Sequence, residues 1–281
     1  MIEKLPRYMF FIINDYVKLH DRFRLSYCSK HLNRLFQHYS NPEIIEIRKP
    51  PKDVLEITKK HRNFKFYHEV SVLNEDQDIS YVKYLNCLRI IYCEDEHLEY
   101  LRNINTLIVE GYQFPLSFDN HPGVKKLIVQ TNVPGLRFRG LINIEYLDLT
   151  ETHVTDTELK DLQNLKYLKE LNITDCSKII NPPLLNINKV NASHCKNLIT
   201  VDGFKNVYDL NLSYTNISNI SSLTNVYKLN LFRCKNLNFL PENLKAKWLN
   251  LLYSGLTKFS YREEDFDFLA CNLKIILLDQ W

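Results

Sequence analysis

The chain has 281 residues, 45% of them hydrophobic and 25% charged, enough apolar material for one or two water-soluble domains. A net charge of +3 excludes the strong field of a general nucleic-acid or membrane-surface binder, and only 6 Gly argue against glycine-rich phosphate loops. The 7 cysteines are spread without a Cys-x-x-Cys pair, which fits reduced thiols better than a disulfide framework.

The first element is helical. Leu5, Met9, Ile13 and Val17 recur every four residues on one face, and Pro6 suits an early helix position. The apolar run at residues 8–13 stops at Asn14 and Asp15, too short to span a membrane, and no small-residue cleavage site follows it. The expectation is an unsecreted protein of the cytoplasm or nucleus. After a break at "KLHDRF" (18–23), a second helical run carries Leu25, Cys28, Leu32 and Leu35. "NPEIIEI" (41–47) reads as a turn into a short strand. Residues 1–40 hold seven Lys or Arg against three Asp or Glu, so the positive charge is concentrated in these helices.

Residues 48–84 form a connection. "RKPPK" (48–52) breaks the chain, and Tyr67, Val70 and Val72 in "FYHEVSVL" suggest a degenerate first strand.

From residue 85 the sequence repeats. "NVYDLNLSYTNI" (206–217) and "NVYKLNLFRCKNL" (225–237) are nearly the same line. Both fit the spacing L-x-x-L-x-L-x-x-N/C, with Val207, Leu210, Leu212 and Thr215 in its first, fourth, sixth and ninth slots. Template starts fall at 85, 104, 124, 144, 168, 187, 207, 226, 246 and 273, mostly 19 or 20 residues apart. One such unit cannot bury its apolar face alone, but stacked neighbours make a continuous core. The ninth slot must satisfy backbone groups inside a turn or be small and buried. Asn132, Thr152, Thr215 and Ser254 suit the first task; Cys93, Cys176, Cys195 and Cys234 suit the second. So short a period leaves extended or 3₁₀ segments on the far side. The 24-residue unit is the exception: Thr155 or Asp156 can cap a short helix with Glu158 in its first turn. "YREEDFDFLACNL" predicts another helical turn before the last unit.

These residues resemble a leucine-rich-repeat solenoid over residues 85–281. The expected fold is an α/β solenoid, a horseshoe with a parallel concave sheet, whose strand slots three, five and seven face outward. Slot five reads Asn172, Asn191, Asn211, Asn230 and Asn250, either a peptide-binding column or, the favoured reading, an amide ladder bonded to itself across strands. Tyr214, Tyr227, Phe232, Arg233, Trp248 and Tyr253 occupy variable slots of adjacent units. Tyr, Trp and Arg dominate interface energetics, which makes these six the candidate target-binding residues; the alternative is that some of them cover the core edge, since the last repeats of a solenoid need capping.

No motif for catalysis appears. No nucleophile signature is present, and the acidic runs "EDE" (94–96) and "REEDFD" (262–267) read as solvated turns. His194 beside Cys195 is a tempting metal pair, but neighbours along a strand point to opposite faces, so it reads as a structural turn. The expectation is a non-enzyme with no metal and no cofactor.

The N-terminal residues 1–47 resemble an F-box, with Leu-Pro at its start and a Leu-x-x-Cys-Ser-Lys segment. The matching positions are Leu5, Pro6, Met9, Ile13, Val17, Leu25, Cys28, Ser29, Lys30 and Leu35, with Tyr8 where the family often has Glu. An F-box ahead of leucine-rich repeats is a familiar pairing. The resemblance implies that Leu5, Pro6, Met9, Ile13, Val17, Leu25, Cys28 and Leu32 dock on an acidic Skp-type adaptor protein. It implies that the repeats hold an unknown protein target for ubiquitin transfer by a cullin ligase, with neither nucleic acid nor membrane as partner. The bland alternative is a plain repeat module whose first helices only cap the solenoid. Only three alanines (192, 246 and 270) occur among many Asn, Ile, Lys and Tyr, and this look is similar to F-box/repeat proteins of giant DNA viruses of amoebae.

Overall fold

The computed structural model describes residues 44–47, 65–73, 82, 85–93, 101, 104–111 and 116–256. The F-box-like helices, the last expected repeat at 273 and the helical turn before it lie outside the described residues.

Eleven strands form one sheet, in chain order and all parallel. They are β1 (Ile44–Ile47), β2 (Lys65–Leu73), β3 (Cys87–Cys93), β4 (Thr106–Glu110), β5 (Lys126–Gln130), β6 (Tyr146–Asp148), β7 (Glu170–Asn172), β8 (Lys189–Asn191), β9 (Asp209–Asn211), β10 (Lys228–Asn230) and β11 (Trp248–Asn250). From β3 onward, each strand begins two residues after a template start, so the repeat register read from the sequence is the register of the sheet. β1 and β2 extend the same sheet ahead of residue 85. The fold is a parallel β-solenoid of short leucine-rich repeats.

The reason lies in the alternation along each strand. In β10 the order is exposed Lys228, buried Leu229 and half-buried Asn230. The repeat from 207 buries Val207, Leu210, Leu212, Ile217, Ile220 and Leu223, each at no more than 1% exposure. Each such side chain contributes about 1.5–3 kcal/mol of hydrophobic stabilisation. Phe118 and Phe138 extend this core between two neighbouring turns, with ring planes 2° apart and centroids at 6.2 Å.

The side of the solenoid opposite the sheet carries little helix. The described segments there are turns and irregular chain, apart from 3₁₀ helices at Lys160–Asn164 and Asp202–Phe204 and one short helix, α1 (Asp156–Leu159). α1 opens with the expected capping box: the Thr155 side chain accepts from the Thr157 N–H, and Glu158 reaches back to the Thr155 backbone. The acidic side chains of this insertion then tie three repeats together. Glu158 accepts from the Gly135 N–H at 2.9 Å, Asp161 pairs with Arg139 at 2.8 Å, and Asp156 accepts from Asn181 N–H at 2.8 Å. Partial burial raises the Glu158 carboxyl, but the hydrogen bonds from Thr155 and Gly135 outweigh it and leave it below the usual glutamate value.

The ninth slot does more than the sequence suggested. Buried Thr152 and Thr215 each donate to a carbonyl of their own turn, Leu149 at 2.8 Å and Leu212 at 2.7 Å. The cysteines are buried and also donate: Cys176 to Leu149 O, Cys195 to Ile173 O and Cys234 to Leu212 O, at 3.0–3.1 Å. Each thiol therefore bonds to the preceding repeat. Burial pushes the Cys176 thiol up to about 11 and Cys195 to about 12, and raises Cys234 as well. Thiols held protonated in this way are poor nucleophiles and poor metal ligands at neutral pH. Two positions depart from the pattern. Asn132 is exposed, because Thr131 and Val133 take the buried places in its turn, and the Ser254 hydroxyl has no hydrogen-bond partner among the described residues.

Candidate functional site

The chain leaves every strand from β6 to β11 by the same turn. Slot eight is left-handed in six consecutive repeats: Glu151, Asp175, His194, Tyr214, Arg233 and Tyr253 have φ between 57° and 62°. None is glycine, although a left-handed residue with a side chain costs about 1 kcal/mol or more. From Glu151 to Arg233 the conformation aims the backbone N–H at the next repeat, Glu151 donating to Thr174 O at 2.8 Å. Asp175 donates to Ser193 O, His194 to Ser213 O, Tyr214 to Phe232 O and Arg233 to Leu252 O, at 2.8–3.0 Å. The sheet ladder thus continues past the strand ends, and six side chains project in one column along the sheet's exit edge.

The asparagine column explains how the turn is set. Asn191, Asn211, Asn230 and Asn250 each accept, through Oδ1, from the backbone N–H two residues on, at 3.0–3.2 Å. Asn172 does the same toward Thr174, and Asp148 toward Thr150. These are Asx turns, local to each repeat. The expected amide ladder across strands is therefore corrected, since the carbonyl ends are consumed by their own turns. Only Asn172 also reaches a neighbouring strand, donating to Asp148 at 3.2 Å. Asp148 shows that a carboxylate does the accepting equally well. Asn211→Asp is expected to leave the urea midpoint almost unchanged, whereas Asn211→Ala should lose about 0.5–1.5 kcal/mol, read by urea titration followed by circular dichroism. Equal losses in both variants would mean that the NH₂ group, not the turn acceptor, is what the fold needs.

The six target-binding candidates divide into two groups at opposite ends of the strands. Tyr214, Phe232, Arg233 and Tyr253 come together at the exit edge. The Arg233 guanidinium lies 5.5 Å from the Tyr214 and Phe232 ring centroids and 5.4 Å from that of Tyr253. Tyr214 meets Phe232 edge-on at 5.2 Å, and Phe232 meets Tyr253 edge-on at 5.7 Å. His194, expected from the sequence to be part of a structural turn and not a metal ligand, joins this group by stacking on Tyr214 at 4.3 Å. Its ring is on the surface, while the Cys195 thiol faces the core, so the two do not converge.

Tyr227 and Trp248 sit at the entry end instead. Tyr227 stacks on Tyr208 at 4.6 Å, and Trp248, 39% exposed, pairs in register with Lys228. Charges here are largely matched: Lys169 with Glu145 at 2.6 Å, Lys189 with Glu170 at 3.4 Å and Lys228 with Asp209 at 3.9 Å. Exposed pairs of this kind add little affinity or stability. The exit edge therefore concentrates the features of a recognition surface: aromatic rings in mutual contact, an exposed guanidinium beside them and no ion pair for Arg233 among the described residues.

No family model and no curated protein matches the chain. Among solved structures it is similar to an internalin (InlF) of Listeria monocytogenes, at 15% identity and a TM-score of 0.44 over 70% of this chain and 69% of that one. It is also similar to internalin C2 of the same bacterium, at 19% identity and a TM-score of 0.37 over 63% of this chain and 74% of that one. The repeat assignment stands on the chain's own geometry: one period, one sheet register and one turn repeated from β6 to β11.

Proposed function

We propose that the repeats are a protein-binding module and that the chain is the target-recognition subunit of a Skp–cullin–F-box type ubiquitin ligase. The observation that carries the binding role is the exit-edge cluster, where Arg233 is held among Tyr214, Phe232 and Tyr253. Tyr and Arg fixed in this way are the anchors that most often dominate protein–protein affinity. The ligase role rests on the sequence of residues 1–47, whose Leu5-Pro6 and Leu25…Cys28-Ser29-Lys30 positions resemble an F-box. In this reading the protein itself does no chemistry and acts in the cytoplasm or nucleus, a host cell's cytoplasm if the source is viral. The adaptor binds the N-terminal apolar face, with Leu5, Met9, Ile13 and Val17 as its stripe.

The full-length protein should co-purify with a Skp-type adaptor, and Leu5→Ala/Pro6→Ala should cut that capture at least tenfold while leaving the circular dichroism spectrum unchanged. Absence of adaptor binding by the wild-type chain removes the ligase role and leaves a plain repeat binder.

A further inference from the structure

The slot-eight column is electrically polar along its length. Glu151 and Asp175 stand at one end, the stacked His194 and Tyr214 rings follow, and Arg233 and Tyr253 stand at the other. Among the described residues, neither carboxylate pairs with a cation and Arg233 pairs with no carboxylate, although most charges elsewhere on this sheet are matched. Glu151 also lines an open pocket of about 500 Å³ together with Gly111, Gln130, Thr131, Asn132 and Thr150. The two ends thus have different chemistry. One is a polar pocket with a carboxylate at its wall. The other is an exposed guanidinium bordered by the Tyr214, Phe232 and Tyr253 rings, whose planar N–H fork is left for a bidentate carboxylate.

Their separation follows from the register. Glu151 and Arg233 lie in turns four strands apart, and Asp175 and Arg233 three apart. At about 4.8 Å per strand, these are spans of about 19 Å and 14 Å. An extended peptide advances about 3.3 Å per residue, so four to six residues bridge either span.

We propose that the exit edge recognises an extended peptide segment bearing a Lys or Arg and, four to six residues away, an Asp or Glu side chain. The basic residue enters the Glu151 pocket or lies over Asp175, the intervening residues cross the His194 and Tyr214 rings, and the carboxylate bonds to Arg233. Retention of a side chain at all six left-handed positions, where glycine would be less strained, fits a column used for contact. This rests on the protein-binding reading and gives that reading a target chemistry.

The test uses the full-length chain and labelled Ser/Thr peptides that carry one Lys-Arg pair and one Asp-Glu pair. The gap between pairs runs from zero to about eight residues, and binding is read by fluorescence anisotropy and on peptide arrays. The expected result is an affinity optimum at four to six residues. Arg233→Ala and the double change Glu151→Gln/Asp175→Asn should each abolish the optimum and weaken binding at least tenfold, with Arg233→Lys intermediate. No optimum, or an optimum unmoved by Arg233→Ala in a variant with wild-type circular dichroism, overturns the inference. A protein target that the chain captures, and that is released by Trp248→Ala but not by Arg233→Ala, overturns it too, while leaving the protein-binding reading in place.

Discussion

Phe138→Ala is expected to destabilise the solenoid by about 3–5 kcal/mol, the range for removing a fully buried aromatic ring. Phe138 has 0% exposure and stacks on Phe118, itself at 0% and in edge contact with His121 at 5.7 Å. The ring lies between the turns that follow β4 and β5, so its loss opens a cavity at a junction between repeats. Each repeat of a solenoid touches only its neighbours, and stability is carried by these junctions. Weakening one of them should therefore do more than shift a midpoint. Urea unfolding followed by circular dichroism should show a lower midpoint and a shallower slope, as the repeats before and after the junction begin to unfold separately. Phe138→Leu fills most of the space and should recover more than half of the loss. A change under 1 kcal/mol for Phe138→Ala would mean that the stacked rings do not couple these repeats.

The difference between what the sequence revealed and what it hid has a physical basis. Inward positions such as Val207, Leu210 and Leu212 must be apolar in every repeat, so spacing alone located each strand. The Thr155–Glu158 cap was equally legible, because capping chemistry is local. The left-handed column was not. Its residues are Glu, Asp, His, Tyr, Arg and Tyr, of which only Asp and His lean toward a positive φ; the turn is imposed by the asparagine two positions before slot seven and by a hydrogen bond to the following repeat. A signal did exist, in the asparagine followed two residues later by Ser or Thr at 172, 191 and 211.

A ladder of asparagines between repeats is hidden for a similar reason. Asn197, Asn216 and Asn236 donate to Ser177 O, Lys196 O and Asn216 O, each one repeat back, at 2.8–3.2 Å. Their spacing near 20 residues was visible, but nothing in one repeat shows that its amide reaches the one before. The division of the aromatic candidates was likewise implicit in the slots. Tyr227 in slot two precedes β10 and Arg233 in slot eight follows it, so they sit at opposite ends of that strand.

Gly203→Ala should strongly destabilise the described solenoid. Gly203 lies in the 3₁₀ turn Asp202–Phe204, where its carbonyl accepts from the Leu185 N–H at 2.8 Å. A β-carbon added there would meet the carbonyl oxygens of Pro182 at 2.3 Å and Pro183 at 2.5 Å. Both obstacles are backbone, and both belong to proline residues whose φ is fixed, so the loop has little freedom to give way. Glycine is required here for close approach, since its φ is not in the left-handed region. Accommodating the methyl means prising two adjacent repeats apart on the side opposite the sheet. The expected cost is about 3 kcal/mol or more, the upper range of overpacking. Lys205→Ala, exposed and next but one along the chain, should stay within about 0.5 kcal/mol and serves as the control. The consequence reaches the exit edge, because the repeats prised apart are those that carry Asp175 and His194. Hydrogen exchange should show the loss: the amide of Asp175, which bonds to Ser193 across this junction, should exchange faster in Gly203→Ala than in Lys205→Ala. Protection equal in the two variants would mean that the loop yields locally and that the spacing of the column does not depend on this glycine.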